Sequence, residues 1–190
     1  MDATALLRPG LLAERVVALG GGSALGPPLA ALGATTAALP ATLDEDDAAA
    51  HVSGALVAHG RIDTLLHDLR PAFGAGGEEA LRAALDTAWV TIRAVAAAAF
   101  IPDARGGKVT LIAPPPTEGA TAPAAAGARA ATENLARTLS VEWARYGIRT
   151  VAITPGPRTT DAQLATLAAY LASPAGDYFS GCRLRLGEIV

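Results

Sequence analysis

Cysteine occurs once in the 190 residues, at Cys182, and lysine once, at Lys108. A lone thiol cannot close an internal disulfide, which fits a reducing compartment. A lone lysine means that any chemistry needing an ammonium group must use Lys108. Aromatic residues make up 4% of the chain and no long basic run exists; with a net charge of −3, this argues against a phosphate-neutralising surface and so against nucleic acid as a partner. Unbroken apolar runs are also short. The most apolar segment, Val90 to Ile101, is interrupted by Arg93, and nothing reaches the roughly eighteen residues of a membrane span. The N-terminus lacks a basic region followed by an apolar signal core, so the expectation is a cytoplasmic chain with no membrane partner. Metal-ligand patterns are missing as well. His51, His59 and His67 are eight residues apart, which is not a ligand spacing. The acidic run Asp44–Asp47 has no histidine or further carboxylate at ligand spacing beside it, and reads as the cap and first turn of a helix from Asp46 to His59.

What is present is apolar bulk and alternation of element types. About half the residues are hydrophobic, enough for one sizeable core, and residues 1–190 read as a single α/β domain. Val16–Leu19 predicts a first strand. Gly20-Gly21-Gly22-Ser23-Ala24-Leu25-Gly26 follows it and leads into a short helix that contains Pro27 and Pro28 and ends by Gly33. Thr35 to Leu43 is a weak strand with Pro40 inside it. Pro71 to Gly77 reads as a loop. A helix over Glu78–Phe100 carries Leu81, Leu85, Trp89 and Ile92 as its apolar stripe.

Ala130 to Gly156 is the most ordered stretch. Leu135, Leu139 and Trp143 fall on one helical face, Glu133 and Arg137 are spaced to pair, and Gly147 supplies a left-handed stop. Ile148–Ile153 then forms a buried strand, closed by Pro155-Gly156. A last helix, Leu164–Ala172, precedes a final strand at Arg183–Leu186.

This order resembles the short-chain dehydrogenase/reductase (SDR) family. Gly20 and Gly26 match the first and third glycines of its T-G-x-x-x-G-x-G loop, with Ala24 at the second and Leu19 in place of the threonine. Gly60-Arg61-Ile62-Asp63 matches its G-x-I-D. Gly106-Gly107-Lys108-Val109 resembles the start of its fifth strand, and Tyr178 to Gly181, its closing segment, with Gly187-Glu188 in place of a glycine pair. The resemblance implies a Rossmann-like doubly wound parallel sheet flanked by helices. The sheet is expected to be about one βα unit of roughly twenty to thirty residues shorter than usual, and to lack the family's substrate lid of about twenty to forty residues.

The same resemblance places the family's catalytic asparagine, serine, tyrosine and lysine on Ala84, Pro114, Ala125 and Arg129. Three of these four carry no side-chain donor or acceptor. None of Tyr146, Tyr170 or Tyr178 is followed by a lysine four residues on. Proton donation to a developing alkoxide has no candidate, so no catalytic residue is assigned.

Gly20, Gly22, Ser23 and Gly26, with Thr160 at the family's nicotinamide-contacting threonine, are what a residual NAD(P) site would use. The competing reading is an inherited strand-to-helix turn without a ligand, and the expectation is no cofactor. The implied role is a non-catalytic SDR-like subunit, a homo-oligomer or a heteromer with an active SDR subunit, assembled through helices 78–100 and 124–146. The other readings are an NAD(P)-dependent oxidoreductase with rearranged groups, and a nucleotide-binding sensor without turnover.

Overall fold

A computed structural model describes residues 3–187. Six strands, β1 (Val16–Gly20), β2 (Thr35–Ala38), β3 (Thr64–Asp68), β4 (Gly107–Ile112), β5 (Ile148–Pro155) and β6 (Cys182–Leu186), form one parallel sheet in the order β2-β1-β3-β4-β5-β6. The helices are α1 (Ala3–Leu6), α2 (Gly26–Ala31), α3 (Glu45–His59), α4 (Arg70–Phe73), α5 (Glu78–Val95), α6 (Ala122–Glu142) and α7 (Asp161–Ala172). The chain leaves β1 toward β2 on one side and returns to β3 on the other. That reversal creates the crevice at the C-terminal ends of β1 and β3 where doubly wound sheets hold ligands. The expected Rossmann-like architecture is therefore observed, at a length of 190 residues.

Both faces of the sheet are covered, so the central strands β1 and β3 are buried along their whole length rather than at alternate residues. On one face Ala18, Leu65, Val109, Leu111 and Ala152 pack with Ala88, Ile92 and Leu139 of α5 and α6. On the other, Val17, Leu19, Leu66, Ile112 and Ile153 pack with Leu29 of α2 and with Leu164 and Ala168 of α7. Local chemistry sets the helix ends. Asp44 accepts from the amides of Asp46 and Asp47 to start α3. Thr160 and Gln163 form a reciprocal capping box that starts α7, three residues earlier than expected.

Several expected boundaries shift for identifiable reasons. The strand expected over Thr35–Leu43 ends at Ala38, because Pro40, which has no amide, cannot continue the ladder. The loop expected from Pro71 contains α4, started by the Arg70 amide donating to Asp68 Oδ1 at 3.0 Å. The long helix ends in a π-helical turn, Ala96–Phe100. Trp143 leaves the helical conformation as the C-cap of α6, and a 3₁₀ turn, Ala144–Tyr146, separates it from Gly147, which has φ +71°. Glu133 does pair with Arg137, at 2.8 Å, and also with Arg183. Glu188 lies outside the described residues. The segment Glu78–Phe100 is long and apolar enough by composition to cross a membrane, yet half of its most apolar window is buried inside the fold, as in a core helix.

Candidate functional site at the C-terminal edge of the sheet

The crevice begins at the loop after β1. Gly21 and Gly22 have φ values of +70° and +74°, which L side chains rarely adopt. At Gly21 a Cβ would stand 2.1 Å from the Asp68 carbonyl oxygen. The loop is thus folded down onto the end of β3, and glycine is required there by close backbone approach. Gly20 and Gly26 are buried, Gly22 is exposed, and the Ser23 hydroxyl accepts from the Leu25 amide at 3.4 Å. Ala24 is exposed. The helix that follows, α2, has six residues and begins with prolines, so it offers few free amides and little dipole to an anion.

Across the crevice, the end of β3 carries His67 and Asp68, both essentially without solvent exposure. Asp68 takes a forked pair of hydrogen bonds from Arg70, Nε to Oδ1 at 2.9 Å and Nη2 to Oδ2 at 2.7 Å. The remaining terminal nitrogen of Arg70 donates to Asp161 Oδ1 at 2.7 Å. Arg70 therefore ties the end of β3 to the first residue of α7, across the mouth of the crevice. Its guanidinium pKa is raised, first by the hydrogen bonds to Asp68, so it is cationic at all accessible pH. His67 faces Gly20, and neither ring nitrogen has a hydrogen-bond partner. Burial alone lowers its pKa to about 4, so the imidazole is neutral at physiological pH.

The positions aligned with the catalytic tetrad lie on α5, on α6 and just beyond β4. Ala84 of α5 and Ala125 of α6 are fully buried methyl groups, and Pro114 is buried just beyond β4. Arg129 reaches the same place and donates from Nη1 to the carbonyl oxygens of Pro114, at 2.9 Å, and Pro155, at 2.7 Å. It thereby links the ends of β4 and β5. Thr160 serves as the helix cap described above. The neighbouring Thr159 closes the turn after β5, accepting from the Gly156 amide at 2.8 Å and donating to the Leu186 carbonyl at 3.0 Å. Lys108 sits at the opposite end of the sheet, at the start of β4.

A nicotinamide dinucleotide would meet a donor set unlike the one its chemistry uses. The end of β2 presents alanines and buried Leu39 instead of a ribose-binding carboxylate. The crevice mouth is crossed by the Asp68–Arg70–Asp161 network, and among the described residues the aligned positions Ala84, Pro114 and Ala125 bring no side-chain donor. The residues present do not fit hydride transfer. Arg70 was not identified from the sequence as a site residue.

No family model matches the chain, and no curated protein matches it. Solved structures do. The chain is similar to a short chain dehydrogenase from Mycobacterium smegmatis (TM-score 0.78, 19% identity, 95% of each chain covered). It is also similar to a hydroxysteroid dehydrogenase from Escherichia coli (TM-score 0.77, 18% identity, 94% of this chain and 98% of that one). A 3-ketoacyl-(acyl-carrier-protein) reductase from Brucella melitensis, whose structure is a complex with NADH, aligns at a TM-score of 0.75 and 18% identity over 92% of this chain and 97% of that one. At these identities the likeness establishes a shared fold with short-chain dehydrogenases, and chemistry must be argued from the residues at the site.

Proposed function

We propose that this chain is a non-catalytic, cytoplasmic subunit on the short-chain dehydrogenase scaffold, working as the structural partner of an active dehydrogenase subunit or of itself. The observation that carries the proposal is Arg129. At the family's lysine position, its guanidinium is engaged by two main-chain carbonyls, with the methyl group of Ala125 where a phenol would have to stand. The reacting position is thereby built into the frame of the protein.

The interaction surface is the pair α5 and α6. A groove of about 390 Å³ runs between them, lined by Leu85, Trp89, Ala131, Leu135 and Thr138. Trp89 is 39% exposed there, although large apolar side chains are mostly buried elsewhere, and tryptophan is enriched at interface centres. Trp143, by contrast, is partly buried against the chain's own core.

Co-expression with a full-length dehydrogenase of this fold from a neighbouring gene, followed by size exclusion and native mass measurement, tests the proposal. A stable mixed species, or a self-assembled one, dispersed by Trp89→Ala is expected. Persistent monomers under both conditions would overturn it.

A second reading keeps nucleotide binding without turnover. It is favoured by the two left-handed glycines, Gly21 and Gly22, which preserve the shape of the loop beside half-buried Ser23 and exposed Ala24. Calorimetry with the oxidised and reduced forms of NAD and NADP separates the readings. No heat at millimolar cofactor is expected of the structural partner. Heat without product would support the sensor, and turnover would refute both.

A further inference from the structure

The opposite edge of the sheet holds a cluster of charge that none of the above uses. Arg15 immediately precedes β1, Lys108 is the second residue of β4, and Arg149 the second of β5. Because β1, β3, β4 and β5 are consecutive in the sheet, their N-terminal ends converge. Lys108 and Arg149 are direct register partners, and Thr64 of β3 is the register partner of Lys108 on its other side. These cations, with Arg105 and the backbone of Gly106 and Gly107, surround an open cleft of about 180 Å³. At roughly 30 Å³ per water, that is room for one small oxyanion with some of its hydration.

The balance of charge in the cleft is uneven. Asp63 is occupied by Arg61, whose Nε donates to its two oxygens at 2.9 and 3.0 Å, and by the Val16 amide at 2.8 Å; Arg105 approaches it only to 3.9 Å. Asp177 pairs with Lys108 at 2.6 Å. Glu14 lies near Arg61. Among the described residues, Arg15 and Arg149 have neither a hydrogen-bond acceptor nor a carboxylate partner for their guanidinium groups, although both are half-buried. They sit close enough to Lys108 for their charge to disfavour its protonation, in the same direction as its burial. Beside Lys108 on the same face, the buried Thr64 hydroxyl has no partner either.

Three carboxylates thus face five cations in a protein whose overall charge is negative. Bringing guanidinium groups together without counter-charge is costly unless an anion joins them, and their fork geometry matches a tetrahedral oxyanion.

We propose that the cleft at the N-terminal edge of the sheet is a binding site for a phosphate-class oxyanion, with Arg15 and Arg149 as its principal ligands and Arg105 at its rim. It lies at the other end of the strands from the dehydrogenase crevice and is independent of whether that crevice binds a nucleotide.

Titration calorimetry of the intact chain with inorganic phosphate, at ionic strength held constant with sodium chloride, tests the site. One phosphate per chain is expected, with acetate binding far more weakly. Methyl phosphate distinguishes the source. Binding as tight as that of inorganic phosphate assigns the cleft to the phosphate group of a larger molecule, and much weaker binding assigns it to the free ion.

Arg15→Gln with Arg149→Gln is expected to weaken phosphate by at least about tenfold. Heats indistinguishable from those of acetate, or equal affinity in the double variant, would overturn the proposal. Should the double variant fail to fold, the side-chain Nε–Hε signals of Arg15 and Arg149 in the unmodified protein serve instead. Selective shifts of these two signals with phosphate support the site, and uniform or absent shifts refute it.

Discussion

At the C-terminal edge of the sheet, Arg70 and Arg129 direct their guanidinium protons to Asp68, Asp161 and two proline carbonyls. At the N-terminal edge, about one strand length away, Arg15 and Arg149 direct theirs into an open cleft. At the first of these edges the charges are bound internally and the positions aligned with the tetrad are methyl groups and a proline, so its arginines tie strand ends together. The contrast shows that a cation's function follows from what its protons already touch. A bound arginine stabilises the frame, whereas an unpaired one in a cleft is available to a ligand.

The largest effect should come from breaking the clamp at its buried member. Asp68 is 1% exposed and holds both the side chain and the amide of Arg70. Asp68→Ala leaves a half-buried guanidinium with only the exposed Asp161 as partner. Removing one side of such a pair costs about 3–5 kcal/mol. For a chain of this size that lowers the midpoint of thermal unfolding by roughly 6–20 °C. A calorimetric scan showing a fall of less than 2 °C, by rough scaling from the same relation, would mean that the clamp is not structural.

His67 tests the same edge through pH. Its pKa in the fold is about 4, below the 6.5 of an exposed imidazole, and the sole cause is burial. Between these values the unfolded chain binds the proton and the folded one does not. Stability therefore rises with pH across the window: it is fully present above about 6.5 and is lost as pH falls toward 4. A shift of this size corresponds to about 3 kcal/mol over the whole window. His67→Leu removes the titrating group and two unpartnered ring nitrogens together. Urea midpoints at pH 4.5 and 7 should converge in the variant, after the carboxylate contribution common to both proteins is subtracted. An unchanged difference would show that His67 is protonated without penalty.

Arg129 comes next in size. Arg129→Ala withdraws a donor from two carbonyls, a loss of about 1–3 kcal/mol by the usual cost of unsatisfied buried groups. Arg129→Lys restores the family's residue type, yet an ammonium lacks the planar fork that spans both strand ends. The lysine variant should be intermediate in stability and should gain no reductase activity, because Ala125 supplies no proton. Any nicotinamide-dependent turnover by Arg129→Lys would contradict the view of this edge as frame.

The fold was legible because it is written in repeated, local signals. The glycine loop after a β-branched run, the Asp44 cap, the Gly147 stop and the Gly60–Asp63 motif each report on backbone geometry that few other residues can satisfy. The four tetrad positions were placed by those same landmarks. What the sequence left hidden depends on distance along the chain. Arg70 and Asp161 are 91 residues apart and meet only because β3 and α7 end at the same edge. Arg15, Lys108 and Arg149 look like isolated charges in a chain of mixed polarity, and only the parallel register gathers them at one edge. No local pattern encodes either cluster. The short helix α4 escaped for a related reason, since its start depends on a side-chain contact from Asp68 rather than on periodicity.

The smallest effect probes the N-terminal edge from inside. Lys108 is only 14% exposed along its side chain, and its ammonium donates to the carbonyls of Leu171, Ala172 and Ser173, the unsatisfied end of α7. A cation there is favoured by the helix dipole, by about 0.3–1 kcal/mol and up to about 2 when partly buried. Its pairing with half-exposed Asp177 adds little in water. Against these gains stand its burial and the repulsion of Arg15 and Arg149, which together lower its pKa. Lys108→Met removes the cap and the repulsion at once, so the net loss of stability should be near 1 kcal/mol, smaller than the loss from Arg129→Ala. The two edges should also separate by their response to phosphate. Added phosphate should stabilise the unmodified protein and the Arg129→Ala variant equally. In Lys108→Met the stabilisation should be weakened but not abolished, because Arg15 and Arg149 remain. If phosphate instead stabilises Lys108→Met more than the unmodified protein, Lys108 competes with the anion for the cleft, and the contrast between a satisfied edge and an unsatisfied one would have to be redrawn around Lys108 itself.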